Sequence, residues 1–546
     1  MKDIKKLSVA LALVLSQPLY AVENSTQLSQ ELHQLKSQTS ELIKLLIQEG
    51  VLSSDKATAL MAKAEENARN SYQTSTDVVA GNSKDMPPQV EPGVVRVPYI
   101  PQYIRDQIRD EVRMGLKEDV TRDVLSEAKT KQWGVPGAWP DWIKTIKPYG
   151  DIRFRMQSDA FEDDNASDIL NIAAINDAGG QVQAGDDVFL NTTEDRERTR
   201  LRFRFGLKAK ITESILVDAR FTTGKEGDPV SRNQTLEQYK SSSSFNLDRA
   251  YVKYTSQIKD VELTAGRMPN PWFSTDLIWD SDVNFDGLAG TYRWLRTDNI
   301  YDEEERAFDP FITLGAFSLQ ESEFSTDDKW LLAGQVGFDY LFDNQDKLKV
   351  GLAYYDYQNI EGKINDPFST EFDYTAPEFL QFGNTLIDID SEDGEELYAL
   401  ATDFDQVALT ASYDITRFVP THIIVDAEYV KNVGFDKDLR DSNGNKVSDK
   451  SDGYKLKVTV GWPKVRKRHD WQASLAYKYL ERDAVLDAFT DSDFRLGGTD
   501  AKGYILTGKY GLARNTWLQL RMLVADEIDG KPYGARTLQV DLNTKF

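Results

Sequence analysis

The sequence predicts an all-β membrane protein, an antiparallel transmembrane β-barrel of about 16 strands preceded by an α-helical segment. Three observations point there. Polar and apolar residues alternate along segments close to the roughly 9 to 11 residues that a tilted strand needs to cross a bilayer. The joins between these segments are short at one end and long at the other. The chain also opens on an export signal, and no run of about 18 to 20 apolar residues follows it, which excludes helical spans.

The N-terminus, "MKDIKKLSVALALVLSQPLYAVENS", places Lys2, Lys5 and Lys6 before an apolar run from Leu7 to Leu15 and ends on small residues near Ala21. Residues 1–21 read as a secretory signal, too short to span a membrane. Its removal takes out three lysines and one aspartate, so the formal charge moves from −24 to −26. Residues 22–70 have a helical, partly heptad pattern, with Leu28, Leu35 and Leu42 seven apart and Gly50 ending the first helix. This segment is expected to be a coiled-coil-like tether or an ordinary helical hairpin. Residues 71–98 are polar and rich in turn formers, as in a linker. Residues 99–147 are expected to be a helical periplasmic segment, because Ile104, Ile108, Val112, Leu116, Val120 and Val124 form a stripe of four-residue spacing. Such a stripe drifts around a 3.6-residue helix, which argues against a regular left-handed coiled coil.

Residues 148–546 carry the barrel. Alternating segments begin near Gly150, Arg196, Ser214, Ser244, Val261, Phe285, Phe311, Lys329, Lys347, Asp405, His422, Gly453, Asp470, Lys502, Asn515 and Ala535. Joins after even segments are mostly short ("ITES", "SQIKD", "FDNQD", "LARN"), whereas those after odd segments include residues 159–195, 224–243, 268–284, 358–402 and 431–451. A soluble sandwich has no reason to segregate loop length in this way; a barrel with periplasmic turns and external loops does. In the last segment, "GARTLQVDLNTKF", Leu538, Val540, Leu542, Thr544 and Phe546 share one face, and Gln539, Asp541, Asn543 and Lys545 share the other. Tyr510, Trp517, Trp462, Trp471, Tyr340, Phe342 and Phe418 fall near segment ends, where interfacial aromatic girdles belong.

Composition narrows the chemistry. There is no cysteine, so thiolate catalysis, disulfides and thiolate metal sites are excluded. Histidine occurs only at positions 33, 422 and 469, and no nucleophile stands with a positioned base, so no enzyme, cofactor or resident metal is expected. The acidic balance argues against nucleic acid as a partner. The run "DSNGNKVSDKSD" spaces Asp441, Asn443, Asn445, Asp449 and Asp452 somewhat as a calcium loop does. Lys446 stands where that loop needs glycine, so a hairpin tip built on Asn443-Gly444 is the better reading.

The runs "LIQEGVLSSDKATALMAKAE", "VPYIPQYIRDQIRDEV", "GVPGAWPDWIKTIKPYGDIRFRMQSDAF", "NLDRAYVKY" and "VELTAGRMPNPWFSTDLIWDSDVNFDGLAG" resemble the putative porin family of Gram-negative outer-membrane proteins. The resemblance covers most of the chain after the signal. It implies an outer-membrane channel for passive diffusion of small hydrophilic solutes or ions, a periplasmic helical segment, contact with lipid and lipopolysaccharide, and a homotrimer.

The stretch "RERTRLRFRFGLKAK" puts Arg196, Arg198, Arg200, Arg202 and Arg204 on one face and an apolar row on the other. Alone it fits a soluble sheet equally well. In a barrel the arginines face the lumen, because each would cost about 2 to 4 kcal/mol at the lipid midplane. The same alternation puts Arg153, Arg155, Arg220, Arg249 and Arg267 inside. The expected site is a constriction in which Arg198, Arg200, Arg202, Arg204 and Arg220 on the wall face Asp276, Asp280 and Asp282 on an inward-folded third external loop, with Asp286 just beyond and Trp272 and Trp279 as anchors. Acidic external loops oppose the basic wall, so weak selectivity is expected. The alternative is a structural tether or adhesin that uses the N-terminal helices, in contact with the periplasm or cell wall, and the external loops.

Overall fold

The computed structural model describes residues 120–124, 126, 141–236, 243–256, 260–294, 307–323, 325–390, 395–440 and 444–546. The expected signal, the segments over 22–70 and 71–98, and most of the 99–147 helix lie outside the described residues. Within that last segment, residues 120–124 are helical and a further turn covers Asp141–Lys144.

Among the described residues sixteen long antiparallel strands follow one another around a closed sheet, with a two-residue strand, Gln234–Thr235, laid against Arg200 and Leu201. The first five are β1 (Lys147–Phe161), β2 (Arg196–Lys210), β3 (Ile215–Thr222), β4 (Asn246–Thr255) and β5 (Val261–Pro269). The next five are β6 (Asn284–Arg293), β7 (Phe308–Gln320), β8 (Lys329–Leu341), β9 (Lys347–Gln358) and β10 (Asp405–Ile415). The last six are β11 (His422–Asn432), β12 (Asp452–Gly461), β13 (Trp471–Leu480), β14 (Ala501–Ala513), β15 (Thr516–Glu527) and β16 (Ala535–Lys545). Each strand pairs with the next, and β16 returns to β1 in a register from Asp151↔Lys545 to Phe161↔Ala535. Closure removes the free edges that an open sheet would expose.

Alternation decides the two faces. Met156 is 58% exposed between Arg155 at 0% and Gln157 at 4%. Likewise Leu538 and Leu542 are exposed, whereas Thr537, Gln539, Asp541 and Asn543 are buried. Apolar side chains thus form the outer surface and polar ones the inner, the reverse of a water-soluble protein. Trp471, Tyr510 and Phe418 stand on the outer face near the short-turn end. Trp517 does not join them. Alternation along β15 puts it on the inward series with Gln519 and Arg521, against the outward Leu518, Leu520 and Met522, and under Lys545.

Joins at the end holding β1's start and β16's finish are short, apart from residues 294–307, most of which lie outside the described residues. At the other end, residues 162–195 carry a helix Ile172–Ala178, and residues 359–404 carry a small hairpin, Leu386–Asp388 with Tyr398–Leu400. In the suspected calcium loop, Asp441 and Asn443 lie outside the described residues. Gly444 has φ +77°, a turn conformation, and Asp449 and Asp452 are salt-bridged to Lys431 at 3.4 and 2.7 Å.

Candidate functional site: the charged interior

Two loops fill the barrel. The first, residues 270–283, joins β5 to β6. Its residues touch β8, β11, β12 and β2 in turn, so the loop crosses the interior. The Phe273 amide donates to Gln335 Oε1 (2.8 Å) while Gln335 Nε2 donates to the Phe273 carbonyl (2.8 Å). Thr275 donates its amide to Glu428, Asp276 pairs with Lys455, and Asp282 Oδ1 meets Arg204 Nη1 at 3.1 Å and Arg202 Nη1 at 3.4 Å. Aromatic packing fixes the path. Trp279, 3% exposed, lies edge-on to Phe285 (4.7 Å) and Tyr355 (5.5 Å), and Trp272 meets Tyr355 at 5.6 Å. Such pairs add about 0.5 to 1.5 kcal/mol each beyond area burial.

The second loop, residues 481–500 between β13 and β14, lies against the first. The Asp280 amide donates to the Phe489 carbonyl (2.7 Å), the Ser492 amide donates to Asp280 Oδ2 (3.1 Å), and Thr490 Oγ1 donates to the Leu277 carbonyl (2.8 Å). Asp493, at its tip, accepts from Arg155 Nη1 (2.9 Å), Arg521 Nη1 (2.6 Å) and Gln539 Nε2 (2.9 Å). Ala484, Val485 and Phe494 are fully buried. Residues 380–385 cover it from the long-loop side, where Asn384 Oδ1 accepts the Asp487 amide at 2.7 Å and Thr385 binds Asp483.

The arginines need these carboxylates. Across β1 and β2, Arg153 lies opposite Arg202 and Arg155 opposite Arg200, and like charges directly opposite destabilise a sheet. Counter-charges relieve this. Arg155 bonds Asp541 Oδ1 at 2.7 Å, the residue that barrel closure sets beside it. Arg202 and Arg204 share Asp151 (3.1 and 2.8 Å) as well as Asp282, and Arg198 pairs with Asp159. Arg220 pairs with Asp248, which also holds Arg232 Nε at 3.1 Å. Arg153 donates to Asn233, Arg200 reaches Ser231 Oγ at 3.4 Å, and Arg249 donates to Asn284 Oδ1 at 2.7 Å.

Of the four acids singled out in the sequence, Asp282 meets the arginine wall. Asp276 goes to Lys455 instead, and Asp280 to the second loop. Asp286 lies within β6, opposite Arg267 and 3.3 Å from its Nη1. Sequence reasoning missed the loop over 481–500 and the cations Lys455, Lys457, Lys509 and Arg521. A signal existed: "DAVLDAFTDSDF" mixes apolar residues into a join whose neighbours are polar.

Between the loops and the wall remains a cavity of about 470 Å³. Arg153, Arg155, Lys455, Lys457, Lys509 and Arg521 line it with Asp276, Asp280, Asp282, Asp491 and Asp493. On the far side of loop 270–283 lies a second cavity of about 570 Å³, where Trp272, Phe273 and Phe311 stand with Arg293, Lys349 and Glu262. The two remaining described polar pairs that involve histidine, His422–Asp414 (2.8 Å) and His469–Tyr510 (2.6 Å), sit at the short-turn end, away from both loops.

The chain resembles solved outer-membrane proteins. OprB of Pseudomonas putida is 13% identical over 74% of this chain and 95% of its own, with a TM-score of 0.42. OmpF of Salmonella typhi is 12% identical (73% and 97% covered, TM-score 0.38). OmpT of Vibrio cholerae, solved in a trimer form, is 10% identical (74% and 99%, TM-score 0.38). No curated protein sequence matches the chain. A family profile does: that described as "Putative porin" matches residues 36–546, and together with the closed barrel around a polar interior it means that the chain belongs to this family of outer-membrane channels.

Proposed function

We propose that the chain is a diffusion channel for small hydrophilic solutes and ions, narrowed where loops 270–283 and 481–500 approach the arginine face of β1 and β2. The observation that carries this reading is the cavity of about 470 Å³ inside the closed barrel, lined by both signs of charge. Cations on the wall and carboxylates on the loops set up a transverse field. Such a field orients dipolar solutes, and with both signs present it gives weak ion selectivity. Residues 1–21 act as an export signal and the segment to residue 147 stays periplasmic. The protein assembles as a homotrimer, a state in which the similar OmpT of Vibrio cholerae has been solved.

The test is single-channel conductance and reversal potential of purified protein in planar bilayers under a potassium chloride gradient, beside an Arg200→Glu, Arg202→Glu variant. Stepwise conductance with anion preference reduced in the variant is expected. No conductance from barrel shown to be folded overturns the reading.

A further inference from the structure

The short-turn end carries a concentration of positive charge at odds with a chain of net charge −24. The turn from β12 to β13 reads "WPKVRKRHD", and Lys464, Arg466, Lys467 and Arg468 are all exposed. With Lys509, Arg514 and Lys545 they surround a cavity of about 1100 Å³ lined by no carboxylate. Among the described residues none of the seven forms an ion pair. The one acid in the turn is not a counter-ion. Asp470 is 8% exposed, and its Oδ2 accepts the amides of Arg466 (2.9 Å) and Lys467 (2.8 Å), so it closes the turn from inside.

The array is also held in shape. The Asn515 amide donates to the Arg466 carbonyl (2.8 Å), the His469 amide to the Gly511 carbonyl (2.9 Å) and the Gly511 amide to the Asp470 carbonyl (2.8 Å), which staples this turn to the next one. Gly511 is required there, since a Cβ would collide with the Lys467 carbonyl. Strand parity points the cavity floor inward. Lys509 stands opposite Gln472 and Gln519, and Lys545 lies 5.5 Å over the Trp517 ring. Gln472 and Lys509 line both this cavity and the inner one, so the two adjoin.

Cations converging on one concavity with low-dielectric walls focus their field and favour a ligand that engages several of them together. Guanidinium groups match the oxygen pairs of phosphate and carboxylate. We propose that the short-turn mouth is a binding vestibule for small oxyanions carrying three or more negative charges, polyphosphate or polycarboxylate. By the loop-length asymmetry of outer-membrane barrels this mouth faces the periplasm. The proposal concerns binding and stands apart from conduction, although a conducting channel would bring the anion to it from the inner cavity.

The probe is inorganic tripolyphosphate, titrated calorimetrically into the folded full-length protein at low salt, first in non-ionic detergent and then in nanodiscs. Saturable binding is expected that weakens at least tenfold in Arg466→Gln, Lys467→Gln, Arg468→Gln and is unchanged in Lys531→Gln on the opposite rim. Absence of saturable binding, or equal binding by the triple variant with its fold verified, overturns the proposal. Binding in phosphatidylcholine discs but none in phosphatidylglycerol discs assigns the cations to lipid headgroups and likewise overturns it. In oriented channels, block by tripolyphosphate added to the short-turn side alone supports it. A folded barrel that binds the probe yet conducts nothing sinks the channel reading and leaves the vestibule standing.

Discussion

The two loops inside the barrel reach the same place by different means. Loop 270–283 is wedged by aromatic rings, with Trp272 and Trp279 packed edge-on against Phe317, Tyr355 and Phe285. Loop 481–500 ends in charge, with Asp493 between Arg155 and Arg521, and is held along its length by hydrogen bonds from residues 381–385. Dispersion and area burial are indifferent to salt and pH, whereas buried ion pairs and carboxylates are not. Loop 270–283 carries ion pairs too, Asp276 with Lys455 and Asp282 with Arg202 and Arg204, so the loops share a sensitivity to charge and differ in the tryptophan wedge that the first adds.

The sharpest way to break this contrast is Arg155→Met. It leaves the Asp493 and Asp541 carboxylates buried without their shared cation, and breaking such a pair from one side costs about 3 to 5 kcal/mol. Thermal unfolding in detergent should show the loss, and a companion Asp493→Asn should recover part of it. Trp279→Ala should cost about 3 kcal/mol of loop packing, at the lower end for an aromatic truncation, and should raise single-channel conductance as loop 270–283 loosens. That rise, taken as a ratio to the unmodified channel, should be at least as large at high salt, where the pairs Asp276–Lys455 and Asp282–Arg204 are screened, and no rise at either salt would refute the aromatic account.

Acidity should act on the second loop. Burial pushes the Asp487 carboxyl up to about 7, and among the described residues its Oδ1 has no hydrogen-bond partner. A carboxyl raised in the ordered loop and ordinary in the displaced one favours order below about pH 4. That advantage falls about tenfold per pH unit as pH rises toward 7 and is then spent. Protection in residues 481–500, corrected for the intrinsic base catalysis of amide exchange, should therefore fall between pH 5 and pH 7, and the fall should be smaller in Asp487→Asn, where Asp500, raised to about 6, still titrates. The smallest effect is expected where the loops touch: Thr490→Val removes the hydrogen bond to the Leu277 carbonyl and the one accepted from the buried Lys478 Nζ (3.3 Å) and should cost about 2 kcal/mol, read as a shift in unfolding midpoint.

Most of the architecture was legible. β2, β5, β8, β9, β10, β11 and β16 begin at the residues where the alternating pattern starts, because a strand with lipid on one side and water on the other must write its period into the sequence. Trp517 was read as part of the outer girdle and faces inward, as the alternation of its own strand, Trp517, Gln519 and Arg521 against Leu518, Leu520 and Met522, already recorded. Loop 270–283 announced itself through two tryptophans among aspartates. Loop 481–500 showed itself only as apolar residues in the join "DAVLDAFTDSDF", and its partners Arg155 and Asn384 could not be read from them.

The sequence by itself determined that this is a barrel of sixteen alternating strands, which residues face lipid, and that one wall is rich in arginine. Those follow from local period and from the cost of charge in hydrocarbon. Only the tertiary structure decided which acid neutralises which arginine, that lysines of β12 and β14 share the lumen with them, and that a second loop closes over the first. Ion pairing depends on distances across the lumen. Those distances exist only once β16 has met β1, and no local pattern records them.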